Sequence, residues 1–274
     1  MAWVDYKKAY DIVPHSWILE CLKMVGVDEK VVSMLEGSME KWEVELTAAG
    51  QKLGNVKLKR GSFRGTVYHR YCLLYVSFLF PSSSASAKPD RYSLGKNQTS
   101  INHLLFMDDL KLYGKSEDEI DSLVRTVRLF SQDIGMEFGV KKCAVVVMKR
   151  GKVTECEGIE LPDGQRIRAV EQDGYKYLGI LEIDTIKQKE MKELVLKEYR
   201  RRLKRTLKSR LNGKNVILAI NTWAVSIFRY GAGIIDWTKA ELDEIDRKTR
   251  KTLTMYGAFN PNSNVDRLYL ARKQ

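Results

Sequence analysis

The sequence predicts an α+β fold in which a sheet with associated helices, residues 1–184, is followed by an all-α region, residues 185–274. Two observations predict it. Up to Ile180, short apolar runs of strand character are interleaved with amphipathic helical stretches. From Ile186 onward the apolar positions recur only at helical spacing, as in Leu196, Tyr199, Leu203 and Leu207.

Trp3 to Asp11 reads as a strand running into a turn. Pro14 suits the first turn of a helix, because its missing N–H has no intrahelical partner there. Trp17, Ile18, Cys21 and Leu22 then form an apolar face, and Gly26 ends the helix. A second helix starts at Asp28, with Val31, Val32 and Leu35 inward. Val44 and Leu46, then Val56 and Leu58, alternate as strands do. Arg64 to Arg91 has no helix or strand period. Ile101 to Phe106 and Leu110 to Tyr113 read as two strands around a Met107-Asp108-Asp109 turn. Ser116 to Glu119 is a capping box opening a helix with Ile120, Leu123, Val124, Val127, Phe130 and Ile134 inward, closed by Gly135. Cys143 to Met148 and Tyr175 to Ile180 read as buried strands, and Pro162-Asp163-Gly164 as a turn between two shorter ones. Val216 to Tyr230 is a further helical stretch. So is Lys239 to Tyr256, with Leu242, Ile245, Thr249 and Leu253 in register.

Composition narrows the function classes. The chain has 274 residues, 44% hydrophobic and 30% charged, as suits a globular protein. No apolar run reaches the roughly 18 residues that span a bilayer, so no membrane partner is expected. Cys21, Cys72, Cys143 and Cys156 are scattered, with no C-x-x-C pair and only three histidines, which argues against structural zinc. Reduced thiols and an intracellular site, nucleus or cytoplasm, are expected. The net charge of +12 points to a polyanionic partner. The charge is concentrated: Ile186 to Arg210 holds eleven Lys and Arg against three Glu. Such a patch is what phosphate contacts need.

Two carboxylate features carry chemistry. Asp108-Asp109 sits at the tip of an apolar hairpin, where like charges repel unless a cation lies between them. Asp5 closes the first strand. Side by side, those strands would converge three carboxylates into a two-metal site for in-line displacement at phosphorus. Alone, an Asp pair in a turn is ordinary turn chemistry, and a lone Asp is a surface group. The joint pattern is what points to metal.

Val4-Asp5-Tyr6-Lys7-Lys8-Ala9-Tyr10-Asp11-Ile12-Val13-Pro14-His15 resembles the first catalytic motif of non-LTR (long interspersed element) retrotransposon reverse transcriptases. Phe106-Met107-Asp108-Asp109 resembles their third motif, Gly135 to Cys143 the fourth, and Tyr177-Leu178-Gly179 the primer-gripping hairpin, all in order. The resemblance implies a partial polymerase palm, an antiparallel sheet with helices on one face, followed by an all-α thumb. It implies RNA-directed DNA synthesis by two-metal nucleotidyl transfer, with an RNA template and a DNA primer, or their hybrid, as partners. Asp5 and Asp108 would hold Mg2+, with Asp109 assisting; hard oxygen ligands and substrate phosphates suit that ion. Tyr10 falls on the family's steric gate, although a core aromatic is the plainer reading of a tyrosine there. Gly65 falls on the second-motif glycine that lets the backbone approach the nucleotide. Lys142 falls on the family's candidate proton donor to pyrophosphate, where a surface lysine is the alternative. Lys197, Arg200, Arg201, Arg202, Lys204, Arg205 and Lys208 would grip the template–primer backbone without reading sequence.

The sequence also departs from the family. The chain starts four residues before Asp5, so fingers and the associated endonuclease are expected to be missing. After Phe63 the second motif is lost apart from Gly65. A nucleotide sequence encoding Arg64 to Cys72, free only among synonymous codons, spells Gln-Gly-Asp-Ser-Leu-Ser-Pro-Leu-Leu when read one base earlier. That restores the family's motif over nine positions in a row. A frameshift just before Arg64, with a compensating shift between Asp90 and Tyr92, is therefore expected, and Arg64 to Arg91 is expected to pack poorly. Together these features predict a reverse transcriptase-like fragment inactive by itself. The rival expectation is a non-catalytic nucleic-acid-binding remnant of a retrotransposon.

Overall fold

The computed structural model describes residues 1–61, 92–94, 99–106, 108–209 and 211–264, with the backbone alone for Tyr10, 92–94, 99 and 100. The segment Arg64 to Arg91, with Gly65 and the expected frame disruption, lies outside the described residues. The chain divides into two compact units, Met1–Leu178 and Gly179–Gln274. The division falls a few residues before Asp184.

Unit 1 opens with β1 (Ala2–Val4), α1 (Ala9–Ile12), α2 (His15–Met24) and α3 (Glu29–Met39). The strand stops at Val4, earlier than the sequence suggests. Lys8 adopts a left-handed φ of 47°, and the expected turn continues as a single helical turn over Ala9–Ile12. Pro14 stands at the α2 cap, and Gly26, at φ 73°, closes it with its N–H on the Lys23 carbonyl. Asp28 caps α3 by accepting from the Lys30 N–H at 2.9 Å. Val32, Leu35 and Met39 face inward, but Val31 is 39% exposed and does not. The hairpin β2 (Glu43–Ala48) and β3 (Gln51–Lys57) is solvent-exposed along both strands. Strands β4 (Tyr92–Leu94) and β5 (Thr99–Ile101) pair with each other. The expected strand Ile101 to Phe106 thus breaks at Asn102 before β6 (His103–Phe106) and β7 (Asp109–Leu112).

Helix α4 (Glu117–Asp133) follows, with Ser116 accepting from the Glu119 N–H at 3.1 Å. The Glu119 carboxylate accepts from the Lys115 N–H, one residue before the cap, so the capping box is only half closed. The expected strand from Cys143 to Met148 is two short ones, β8 (Ala144–Val145) and β9 (Val147–Lys149), the latter paired with β10 (Lys152–Thr154). Unit 1 is completed by β11 (Ile159–Glu160), β12 (Arg166–Ala169) and β13 (Tyr175–Tyr177).

The central sheet has the order β11-β12-β8-β1-β7-β6. It is antiparallel except for β12 beside β8, where Arg168 lies opposite Ala144 in parallel. Side chains alternate across a strand, so each residue's parity assigns its face. Ala2, Val4, Leu110, Leu112 and Val145 pack into one core with α2, α3 and α4. The helices therefore cover one face. The odd positions Trp3, Lys111 and Asp109 lie on the other.

In unit 2, β14 (Ile180–Glu182) precedes α5 (Gln188–Lys208). The expected single strand from Tyr175 to Ile180 is interrupted by Leu178 (φ 48°) and Gly179 (φ 81°), left-handed residues that make a turn. The stretch Val216 to Tyr230 is not one regular helix. Helix α6 (Gly213–Ala219) runs into a π-turn at Ile220–Ala224, where the Val225 N–H donates to the Ile220 carbonyl, and then into α7 (Ser226–Gly231). Helix α8 (Lys239–Met255) has a complete capping box between Thr238 and Glu241. Tyr199, Leu203, Val216, Ile220, Ala224 and Leu253 form this unit's core, with Ile245 and Leu207 against it. Leu242, in register by sequence, is 46% exposed.

Candidate active site and nucleic-acid surface

The register of β1 against β7 builds the carboxylate site. Trp3 lies opposite Lys111 and Val4 opposite Leu110. One step further brings Asp5 to the level of Asp109, on the face that the helices leave open. Beyond β1 the chain pairs with the segment before the Val140–Lys142 turn. The Lys7 N–H donates to the Glu137 carbonyl, and the Gly139 N–H to the Asp5 carbonyl, both at 2.8 Å. The Asp5 N–H donates to the Cys143 sulfur at 3.4 Å, and the Cys143 thiol points back at the Asp5 carbonyl at 3.6 Å. Residues Gly139 to Cys143 thus wrap the Asp5 backbone and fix where its side chain begins.

Burial raises the Asp5 pKa above the ordinary carboxylate range, and the Asp108 charge adds to it, while Lys142 opposes both. Burial likewise raises Asp109, reinforced by Asp108 and then by Asp5. The sheet thus collects negative charge at Asp5 and Asp109, and Lys142 opposes it at both. The Lys142 ammonium donates to Asp5 Oδ1 at 3.3 Å. Burial pushes the Cys143 thiol up to about 11, so it packs as a neutral group.

Behind the carboxylates the open face is closed by aromatic rings. Tyr175 stacks on Trp3 at 4.8 Å. The Lys111 ammonium sits 5.0 Å from the Trp3 ring centre, 5.4 Å from that of Tyr177 and 5.6 Å from that of Tyr113. Three aromatic rings thus surround the ammonium of a buried lysine. Burial raises the Tyr175 hydroxyl pKa, and the Asp5 and Asp109 charges add to it.

The structure thus brings Asp5, Asp108, Asp109 and Lys142 together. Tyr10 lies in α1, with its side chain outside the described residues, and Gly65 is outside them altogether. Gly139, Cys143 and Tyr175 were not singled out from the sequence. The signal available for the first two was their place in the Gly135 to Cys143 motif. Among the described residues no three His, Cys, Asp or Glu side chains are gathered into a metal-holding group. The donor chemistry nevertheless suits Mg2+: all-oxygen carboxylates, mutually repelling, with a cation already drawn to one of them.

The basic residues of α5 separate into two sets. Arg202 donates to Glu198 at 2.9 Å and to the Trp223 carbonyl at 2.8 Å, and its guanidinium lies over the Trp223 ring, as does that of Arg205. Arg201 forms a two-pronged pair with Glu198, at 2.5 Å for both contacts. Hydrogen bonds from Arg201, then Arg202, pull Glu198 down to about 2. Lys197, Arg200, Lys204 and Lys208 are exposed along the same helix, outside that cluster. Arg200 and Lys204 edge a groove of about 340 Å3 between α5 and α8, with Leu196 and Tyr199 in its wall and Lys251 and Tyr256 opposite. Cations beside apolar and aromatic surface are the chemistry that nucleic-acid strands use. No helix among the described residues is long and apolar enough to cross a membrane.

The chain resembles a solved structure of telomerase from Candida albicans, in complex with a TWJ fragment of telomeric RNA, at 14% identity and a TM-score of 0.41. The match covers 93% of this chain and 42% of that one, so the chain spans less than half of its length. The family profile described as reverse transcriptase (RNA-dependent DNA polymerase) matches residues 1–181. With that match covering well over half of its length, the chain belongs to the reverse transcriptase family.

Proposed function

We propose that this chain derives from a non-LTR retrotransposon and carries the nucleotidyl-transfer centre of its reverse transcriptase, with residues 1–184 as palm and 185–274 as thumb. Asp5, Asp108 and Asp109 hold Mg2+, which when bound activates a primer 3′-hydroxyl and neutralises charge on the triphosphate. The chain's own residues orient that site. The Gly139 to Cys143 turn holds Asp5, Asp109 of β7 works beside it, and exposed α5 cations hold the RNA template and DNA primer by their phosphates. Tyr10 serves as steric gate. The protein acts inside the cell, in nucleus or cytoplasm, where its substrates are.

The observation that carries this reading is the register step from the Val4–Leu110 pair to Asp5 and Asp109, two half-buried carboxylates whose pKa burial raises, with the Asp108 charge adding to both. The chain as written does not extend a primer at a useful rate, because the altered second motif leaves nucleotide and template unaligned. Alignment supplies on the order of 7–11 kcal/mol in well-oriented systems. The test is primer extension with Mg2+ or Mn2+. A version with the Gln-Gly-Asp-Ser segment restored should extend, and Asp109→Ala should abolish that extension. Extension that survives Asp109→Ala would remove the site from the chemistry.

One observation favours a second reading. The exposed α5 cations and the groove beside them need no metal, so the chain as written serves as a nucleic-acid-binding protein without catalysis. Binding that persists in chelator while extension is absent is the expected result.

A further inference from the structure

Resting on the metal-binding reading of Asp5, we propose that Lys142 and a divalent cation compete for the same Asp5 oxygen, so that metal entry releases the Lys142 ammonium. Three observations carry it. First, the Lys142 ammonium donates to Asp5 Oδ1 at 3.3 Å, although its side chain is 72% exposed and that of Asp5 only 19%. A long, well-solvated lysine has bent back onto a carboxylate, where it contributes the charge that a metal would contribute.

Second, the turn has a notch for this arrangement. A Cβ built on Gly139 would stand 2.9 Å from Asp5 Oδ1 and 3.4 Å from the Asp5 carbonyl oxygen. The φ of Gly139 is −79°, which any residue adopts. What its missing side chain provides is therefore space, and the Asp5 carboxylate fills it. Third, the same Asp5 carboxylate lies within electrostatic reach of Asp108, and Asp109 within reach of both, so the Lys142 contact sits where the negative charge of the site collects.

The coupling is reciprocal: whatever Lys142 takes from metal affinity, metal takes from the Lys142–Asp5 pair. Lys142 is thus a positioning residue that acts through Asp5. An ammonium freed when metal arrives becomes available to other anions at the site, such as substrate phosphate oxygens.

Two readouts on the full chain test this. In calorimetric titration with Mn2+, Lys142→Met should bind about 3–10-fold more tightly than the unaltered protein, since a like charge beside the ion is removed. Asp5→Asn should lose binding. The exposure of Lys142 makes the methionine variant harmless to folding. The second readout maps acylation of Lys142 by mass spectrometry, with Lys152 as reference. Mn2+ should speed labelling of Lys142 several-fold relative to Lys152. Gly139→Ala and Asp5→Asn should each speed it without metal, because each removes the carboxylate from the lysine. Equal or weaker Mn2+ binding by Lys142→Met, or labelling indifferent to both metal and Asp5→Asn, would overturn the competition and leave the metal-site reading standing. Failure of both the unaltered protein and Lys142→Met to bind Mn2+ would overturn the two together.

Discussion

On the open face of the unit 1 sheet, burial and then the neighbouring Asp108 charge raise the pKa of both Asp5 and Asp109. On α5 of unit 2, Glu198 is pulled down to about 2 by Arg201 and Arg202. One region gathers like charges on a half-buried surface; the other intersperses opposite charges on a helix in water. Exposed pairs of the second kind contribute little to stability and are screened by salt. Half-buried repulsion of the first kind opposes folding and persists only where something else keeps it, as at functional sites. In the sequence both regions read as clusters of charge, and only the register and the rotamers tell them apart.

The largest effect that can break this contrast is at the carboxylates. Asp109→Asn should weaken Mn2+ binding by at least about 100-fold, as expected for loss of a charged ligand at a metal centre. The same variant, in chelator at pH 7, should melt about 1–3 °C higher, given that 1 kcal/mol moves the melting point by roughly 2–4 °C in a chain of this size. The sign follows from the raised pKa. A carboxyl held above its unfolded value favours the folded state while protonated and penalises it as pH rises through the raised value. The gain should therefore shrink as the pH falls through the raised value and vanish below the ordinary aspartate range. A lower melting point at pH 7 would mean that Asp109 is compensated and the contrast is wrong.

The next effect sharpens the division within α5. Arg200→Gln with Lys204→Gln should reduce the slope of log K against log salt for duplex DNA by about 1.8, at roughly 0.9 per phosphate contact. Arg202→Gln should leave the slope nearly unchanged. It should instead lower stability by about 1 kcal/mol, through lost contacts to Trp223 and Glu198, as read from the denaturant midpoint. A flattened slope for Arg202→Gln would return it to the binding surface.

The smallest effect compares two helix starts. Thr238→Ala and Ser116→Ala should each cost about 1 kcal/mol of stability, the usual value for a capping hydroxyl. Thr238→Ala should cost the more by a few tenths, because its box is closed from both sides while that of Ser116 is closed from one. Chemical denaturation of the two variants side by side measures the difference.

Much of the fold was legible because its signals are local. Apolar spacing located α2, α3, α4 and α5, and Ser116, Asp28 and Gly26 marked their ends where the structure has them. The errors share a cause. Where a strand was read as continuous, the chain changes pairing partner at Ile101 to Phe106 and at Cys143 to Met148, and turns at Leu178 and Gly179 within Tyr175 to Ile180. An apolar run carries no record of which neighbour it will meet. The π-turn at Ile220 to Ala224 was invisible for the same reason, since its residues keep helical spacing. At the site, Asp5, Asp108, Asp109 and Lys142 came from motif resemblance, and the β1–β7 register now accounts for the proximity of Asp5 and Asp109. Gly139 was passed over because its backbone angles are ordinary and its importance lies in a contact with a residue far along the chain. Seven basic residues of α5 looked equivalent because Trp223, which engages two of them, arrives from another helix. The frameshift expected before Arg64 has its own check. The coding DNA should contain a one-base change just upstream of that codon and a compensating one near Tyr92; an undisturbed frame would mean divergence by substitution.

The alternation of β1 and β7 also limits which length changes the gene can tolerate. Trp3 and Lys111 point one way and Val4 and Leu110 the other, so inserting or deleting one residue in either strand exchanges the two sets. Asp5 or Asp109 would then be driven among Val124, Val127 and Leu112, while valine and leucine would surface beside the aromatic rings. A change of two residues preserves the faces and shifts only the level at which the carboxylates meet. Among descendants of this sequence, codon gains and losses in these strands should therefore come in pairs or not at all, whereas the exposed hairpin of β2 and β3, which buries neither face, can change length one residue at a time.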